Sequence, residues 1–179
     1  GPSNCSPSRS AILTGRTPHR NGVYTWLAEG SEVHLRTSEI TMPKLLKEGG
    51  YTTCHVGKWH LNGKFNNPAQ PQPNDHGYDW WLATQNNAGP SHHNPMNFVR
   101  NGKAVGKLEG YSAPLVVGEA VDWLKDKRDK TKPFFLAVWT HEPHLPIESD
   151  PKFQEPHFSQ YLSCAEALKK YAREKYRLS

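Results

Sequence analysis

The stretch KPFFLAVW, residues 132–139, is hard to place anywhere but inside a sheet. It is a continuous apolar run of strand length with proline only at its start, which predicts a central strand buried on both faces. Before it comes SAPLVVGEAVDWLKDKRDK (112–130), where Val117, Ala120, Val121 and Leu124 recur with a helical period. The same order occurs earlier in the chain. MPKLLKEGG (42–50) reads as a short helix with a glycine stop, and YTTCHVGKW (51–59) as a β-branched strand running into a loop. Helix into strand, twice, with short connections, predicts an α/β layered sheet. A further helix is predicted over 6–15, with Ser6 as cap, Pro7 at the first helical position and Gly15 as stop.

Between these units, residues 61–110 are rich in Asn, Pro and Gly and show little periodicity. So long an irregular region in a compact domain is functional or disordered, and Trp80 and Trp81 argue for order. A length of 179 residues suits one domain or a piece of a larger one. No apolar span of about 18 residues and no signal peptide is visible, so the expectation is a segment that neither crosses a membrane nor carries an export address.

The net charge is +5, and residues 164–179 supply five Lys or Arg against Glu166 and Glu174. Leu162, Ala165, Leu168 and Ala172 share one face there, predicting a C-terminal helix over 159–176 whose charges form a solvated surface. No RNP, zinc-finger or helix-turn-helix pattern accompanies them, so no nucleic-acid partner is expected. Cys5, Cys54 and Cys164 cannot all pair and form no CxxC, which suggests neither a disulfide framework nor a zinc ribbon. Cys54, in the strand, reads as a small buried hydrophobe.

The chemistry concentrates at NCSPSRSAILTGR (4–16). A cysteine at a helix N-terminus sits in the positive end of the backbone dipole, beside free N–H groups. Arg9, at i+4 from Cys5, falls on the same side of a helical first turn. Together they make an anion pocket with a reactive group at its centre. On the dipole argument alone, a capped helix with an incidental cysteine reads equally well.

The whole string resembles the sulfatase signature C-x-P-S-R-x-x-x-L-T-G-R at every specified position: Cys5, Pro7, Ser8, Arg9, Leu13, Thr14, Gly15 and Arg16. The resemblance implies that Cys5 is oxidised to formylglycine by a maturase that reads the proline and arginine. One hydroxyl of the hydrated aldehyde would attack the sulfur of an aryl or carbohydrate sulfate ester and release the alcohol. The second would then lose its proton, expel sulfate and restore the aldehyde, whereas a serine would stop at the sulfate ester.

GYTTCHVGKWHLNG (50–63) looks like the family's G-Y-x-T-x-x-x-G-K-W-H-L-G segment, with Asn62 inserted before the glycine. That match makes Lys58 and His60 the pair that holds sulfate and formylglycine. Read without it, the simpler reading is a solvated Lys58 and a His60 that caps a turn. KPFFLAVWTHEPHLPI (132–147) looks like the strand and loop of the N-x-P-H-x-P element, which makes His144 the histidine that contacts sulfate and helps protonate the leaving oxygen. His141 is then a supporting or substrate-contacting residue. An HxxH metal pair of His141 and His144 is disfavoured, because two prolines oppose a metal-binding helix. HGYDWW (76–81) resembles the G-F/Y-D element before a substrate-facing loop, where Asn87, His92 and His93 are candidate sugar or sulfate contacts.

The family's fold implies an alkaline phosphatase-like layered sheet with flanking helices and a long irregular loop region, of which residues 1–179 would form the early-middle part. Its parts here would be the signature helix 6–15, the Lys/His strand-loop 51–63, the variable loop 61–110, the helix-strand-His loop 112–147 and a divergent helix 159–176. The resemblance also implies calcium (or magnesium), with formylglycine at position 5 as one ligand. The family's Asp-Asp pair before the signature, its Asp-Asn after the His144 region and its second lysine have no counterpart in these residues. The expectation is therefore a chain with negligible activity alone. A non-catalytic anion- or partner-binding remnant, or a phosphatase or phosphonate hydrolase of the same superfamily, are the alternatives. A periplasmic, secreted or lysosomal setting goes with the family.

Overall fold

The computed structural model describes residues 4–145, 148 and 151. The predicted helix over 159–176 and the end of the 112–147 segment, Pro146 and Ile147, lie outside the described residues. The elements run α1 (Cys5–Thr14), α2 (Pro18–Asn21), α3 (Met42–Glu48), β1 (Thr52–Lys58), β2 (Trp80–Thr84), β3 (Val99–Arg100), β4 (Lys103–Ala104), α4 (Ser112–Asp122) and β5 (Phe134–Trp139). A π-helical turn over Trp123–Lys127 continues α4.

The five strands form one mixed sheet in the order β4-β3-β2-β1-β5. β1 pairs in parallel with β2 on one side and β5 on the other, placing Lys58 opposite Thr84 and Gly57 opposite Trp139. β3 and β4 add an antiparallel fringe. The chain leaves β1 for one neighbour and later returns to its other flank, so the connections diverge at the carboxyl end of β1. Crevices of this kind are where open α/β sheets bind ligands.

The strand period of two sorts side chains into two cores. On one face Leu13 of α1 packs with Trp59, Tyr78, Trp81, Ala83 and Ala137. On the other, Cys54, Val56 and Leu82 meet Val116, Ala120 and Trp123 of the α4 segment. Each fully buried large aliphatic or aromatic side chain contributes roughly 1.5–3 kcal/mol. Helices on both faces of a mostly parallel core make this an α/β fold, as predicted.

Three expectations change. KPFFLAVW forms β5 as predicted, but among the described residues it is an outer strand rather than a central one. Phe134 is 44% and Val138 40% exposed, because no described element covers that edge. The irregular region 61–110 contains β2, a central strand, and its fringe. The signature helix begins at Cys5 with Asn4 as cap residue, so Pro7 lies third rather than first; Ser6 Oγ instead accepts the Leu27 N–H at 3.3 Å.

Candidate active site

The carboxyl ends of β1, β2 and β5 and the start of α1 converge on one place. Cys5 is the first helical residue and is partly exposed. Lys58, the last residue of β1, is 1% exposed and donates from Nζ to Cys5 Sγ at 3.7 Å. The helix dipole and the ammonium both favour negative charge at that position. Burial pushes the Lys58 amine below its ordinary value, with Cys5 pulling it back up and the Arg9 charge adding to the depression.

Arg9 lies across the base of the site. Its Nη1 donates to the Lys58 carbonyl at 2.8 Å, and its guanidinium sits 4.7 Å from the centre of the Trp139 ring. Burial lowers its pKa to about 10, opposed by the Cys5 thiol. The later half of the signature is structural: Gly15 ends α1 at φ +64°, and Arg16 donates to the buried Glu39 at 2.9 Å. A glycine suits that left-handed stop because it has no Cβ to strain.

His60 is buried in the left-handed backbone region, φ +56°, which a non-glycine residue occupies at a cost of about 1–3 kcal/mol. Its Nε2–H donates to Leu27 O at 2.9 Å, and its Nδ1 has no partner among the described residues. Burial first, then the Lys58 charge, lowers its pKa to about 3, so the ring is neutral and Nδ1 is a bare acceptor.

Asn87, three residues past β2, joins the remaining groups. Its Oδ1 accepts from Lys58 Nζ at 3.4 Å, while its Nδ2 lies 3.0 Å from both His144 Nδ1 and Leu145 O. His144 is exposed, in the loop that leaves β5.

The other candidates are placed differently. His141 is 3% and His92 0% exposed, and their ring centres lie 5.8 Å apart. His141 Nε2 meets Thr84 Oγ1 at 2.8 Å, which ties the β5 loop to the end of β2. Burial, then His92, lowers the His141 pKa to about 3. Both rings therefore contact protein rather than facing solvent. His93 is exposed and packs against Tyr111, with tilted rings whose centres lie 4.6 Å apart.

A cleft of about 810 Å³ opens beside Asn87. Gln85, Asn86, Asn87 and Asn97 supply amides to its wall, and Trp26 and Phe65 supply aromatic faces. Trp26 also meets His60 edge-on at 5.5 Å. Sequence reasoning did not bring out Trp26 or Phe65, which come from separate segments without a motif. Among the described residues no three His, Cys, Asp or Glu side chains gather to hold a metal ion. These described residues thus do not by themselves fit a resident calcium or magnesium ion.

Comparison with known proteins agrees with this arrangement. The Sulfatase family model matches residues 1–178. The chain is 33% identical over 172 residues to N-acetylgalactosamine-6-sulfatase of Rattus norvegicus, covering 83% of this chain and 32% of that protein. It thus spans about a third of that relative's length. Ps i-CgsB, solved with k-i-k-neocarrahexaose, superposes with a TM-score of 0.71 at 30% identity, over 83% of this chain and 36% of that one. A protein solved with its substrate D-glucosamine-2-N,6-O-disulfate superposes at 0.64 and 30% identity, over 84% of this chain and 27% of that one. The architecture is accordingly alkaline phosphatase-like. With its signature at the head of α1 and the family model matched over nearly its whole length, the chain belongs to the sulfatase family.

Proposed function

We propose that this chain supplies the reacting end of a hydrolase that cleaves sulfate esters of carbohydrates. The observation that carries the reading is Lys58 Nζ held 3.7 Å from Cys5 Sγ at a helix N-terminus, beside the amide- and aromatic-lined cleft. Formylglycine made from Cys5 by a maturase would supply a hydrated aldehyde able to take the sulfuryl group and then release sulfate.

The residues around position 5 have separate tasks. Lys58 balances the charge of the bound sulfate, and its burial keeps water from screening that charge. Arg9 keeps Lys58 aimed through the backbone contact and adds positive potential from below. The bare Nδ1 of His60 accepts a hydroxyl hydrogen at the site, a role that its neutral state favours. His144 meets the leaving oxygen from the exposed side. Trp26 and Phe65 offer stacking faces, and the amides offer donors and acceptors for sugar hydroxyls. An export compartment, periplasmic, secreted or lysosomal, goes with this reading.

One experiment tests it. The protein, expressed with its native flanking sequence, is assayed on sulfate, phosphate and phosphonate esters, and the peptide around position 5 is weighed. The expected result is an aldehyde at position 5 and preference for sulfate esters, while Cys5→Ser stalls as a covalent sulfate ester. An unconverted cysteine in a protein that still turns over, or faster phosphate hydrolysis, would overturn the reading.

A further inference from the structure

The amide of Asn87 touches three groups, and its orientation follows from their chemistry. Lys58 Nζ carries only donors, so the Asn87 atom 3.4 Å away is the acceptor Oδ1. Its two N–H groups then face His144 Nδ1 and Leu145 O, both at 3.0 Å. A flipped amide would set N–H against an ammonium and oxygen against the Leu145 carbonyl, with two repulsions and no lysine bond. In the observed orientation the side chain satisfies the acceptor and both donors.

This orientation has a consequence for the histidine. A hydrogen on His144 Nδ1 would meet the Asn87 N–H head-on. It could reach Leu145 O, 3.0 Å away, whose second lone pair is open to it, but the Asn87 N–H aimed at the ring would then face a hydrogen and lose its acceptor. With Nδ1 bare, it accepts the Asn87 hydrogen and the ring carries its own hydrogen on Nε2. The partner of one imidazole nitrogen determines the state of the other.

We propose that Asn87 is a positioning residue that holds His144 as the Nε2–H tautomer, with the Lys58 contact fixing the polarity of the amide. His144 therefore presents a hydrogen-bond donor at Nε2 to a sulfate or leaving oxygen. Asn87 couples the cation at Cys5 to the ring on the opposite loop. The geometry holds independently of turnover, while the catalytic use of Nε2–H rests on the sulfate-ester reading above.

The test is nitrogen-15 NMR of the histidine rings in the protein with its native flanking sequence, at mildly alkaline pH, with His144→Gln to assign the signal. The wild type is expected to show hydrogen on Nε2 and a bare Nδ1. Asn87→Asp, which replaces the donor with an acceptor, moves the hydrogen to Nδ1. Asn87→Ala gives an averaged pair. Hydrogen on Nδ1 in the wild type overturns the proposal without need of any variant. So does an Asn87→Ala spectrum identical to the wild type's.

Steady-state kinetics on a sulfate ester add a second readout. Asn87→Asp is expected to lower kcat by roughly 10- to 100-fold with a smaller change in KM. A rise in KM with unaltered kcat and an unaltered tautomer would make Asn87 a plain substrate contact and overturn the proposal. A predicted tautomer shift in a protein without sulfatase activity would instead refute the functional reading and leave the positioning role standing.

Discussion

Arg9 gives its guanidinium to protein groups first. One nitrogen holds the Lys58 carbonyl, and the flat face lies against Trp139. Lysine cannot copy both contacts, since its point charge lacks the planar fork. Arg9→Lys is expected to lower stability by about 1–3 kcal/mol, read as a lower denaturant midpoint with an unchanged slope. The same variant is expected to reduce kcat, because Lys58 loses the support that aims it. Unchanged stability and turnover in Arg9→Lys would remove Arg9 from the base of the site. Cys5 and Arg9 were legible as partners because both belong to one contiguous string of fixed spacing. Asn87 was visible only as a loop amide, since its link to Lys58 and His144 depends on β2 ending beside β1.

At the level of elements, the closest approach in the sheet falls at Gly57, which pairs with Trp139 and has φ +105°. A Cβ there would run into the Trp139 carbonyl. Gly57→Ala therefore combines backbone strain with a backbone clash, and the expected loss is about 3 kcal/mol or more. Wild-type stability in Gly57→Ala, measured by equilibrium unfolding, would show that β5 can move away freely. Both helix-then-strand units were readable because their periodicities differ sharply, 3.6 against continuous apolar. β2 was not: WWLAT is short, lies among Asn, Pro and Gly, and earns its strand state by pairing with β1. The covering of β5 was also beyond reach, since a run apolar on both faces does not say what lies beside it.

Across the whole molecule, buried neutral histidines set the response to acid. His55, His60, His76 and His141 each have a pKa lowered from 6.5 to about 3, in every case chiefly by burial. His55, for example, is enclosed by Trp59, Tyr78 and Trp139, with ring centres 5.1–5.3 Å away. Above pH 6.5 these rings are neutral folded or unfolded. As pH falls from 6.5 toward 3 the unfolded chain binds protons that the folded one refuses, so stability falls. The slope reaches up to roughly 5 kcal/mol per pH unit if all four rings stay neutral. Stability by chemical denaturation is therefore expected to be lower at pH 5 than at pH 7, and equal stability at the two would contradict it. A second expectation concerns the 179 residues purified alone: no aryl sulfate turnover, with or without added calcium. Calcium-dependent turnover would show that a metal site is completed within this chain.

The cleft and the reacting centre share a wall, because Asn87 lines the one and touches Lys58 and His144 of the other. This limits modularity, both for natural divergence and for engineering. On the sulfate-ester reading, transplanting residues 84–97 from a relative would change the sugar-facing wall and the histidine environment together. Diversification at Trp26, which meets His60 edge-on, or at Phe65, which packs on Trp81, leaves that coupling intact. On the sulfate-ester reading, substrate choice is freest to drift on the far side of the cleft and most constrained in the loop after β2, which the two functions hold in common.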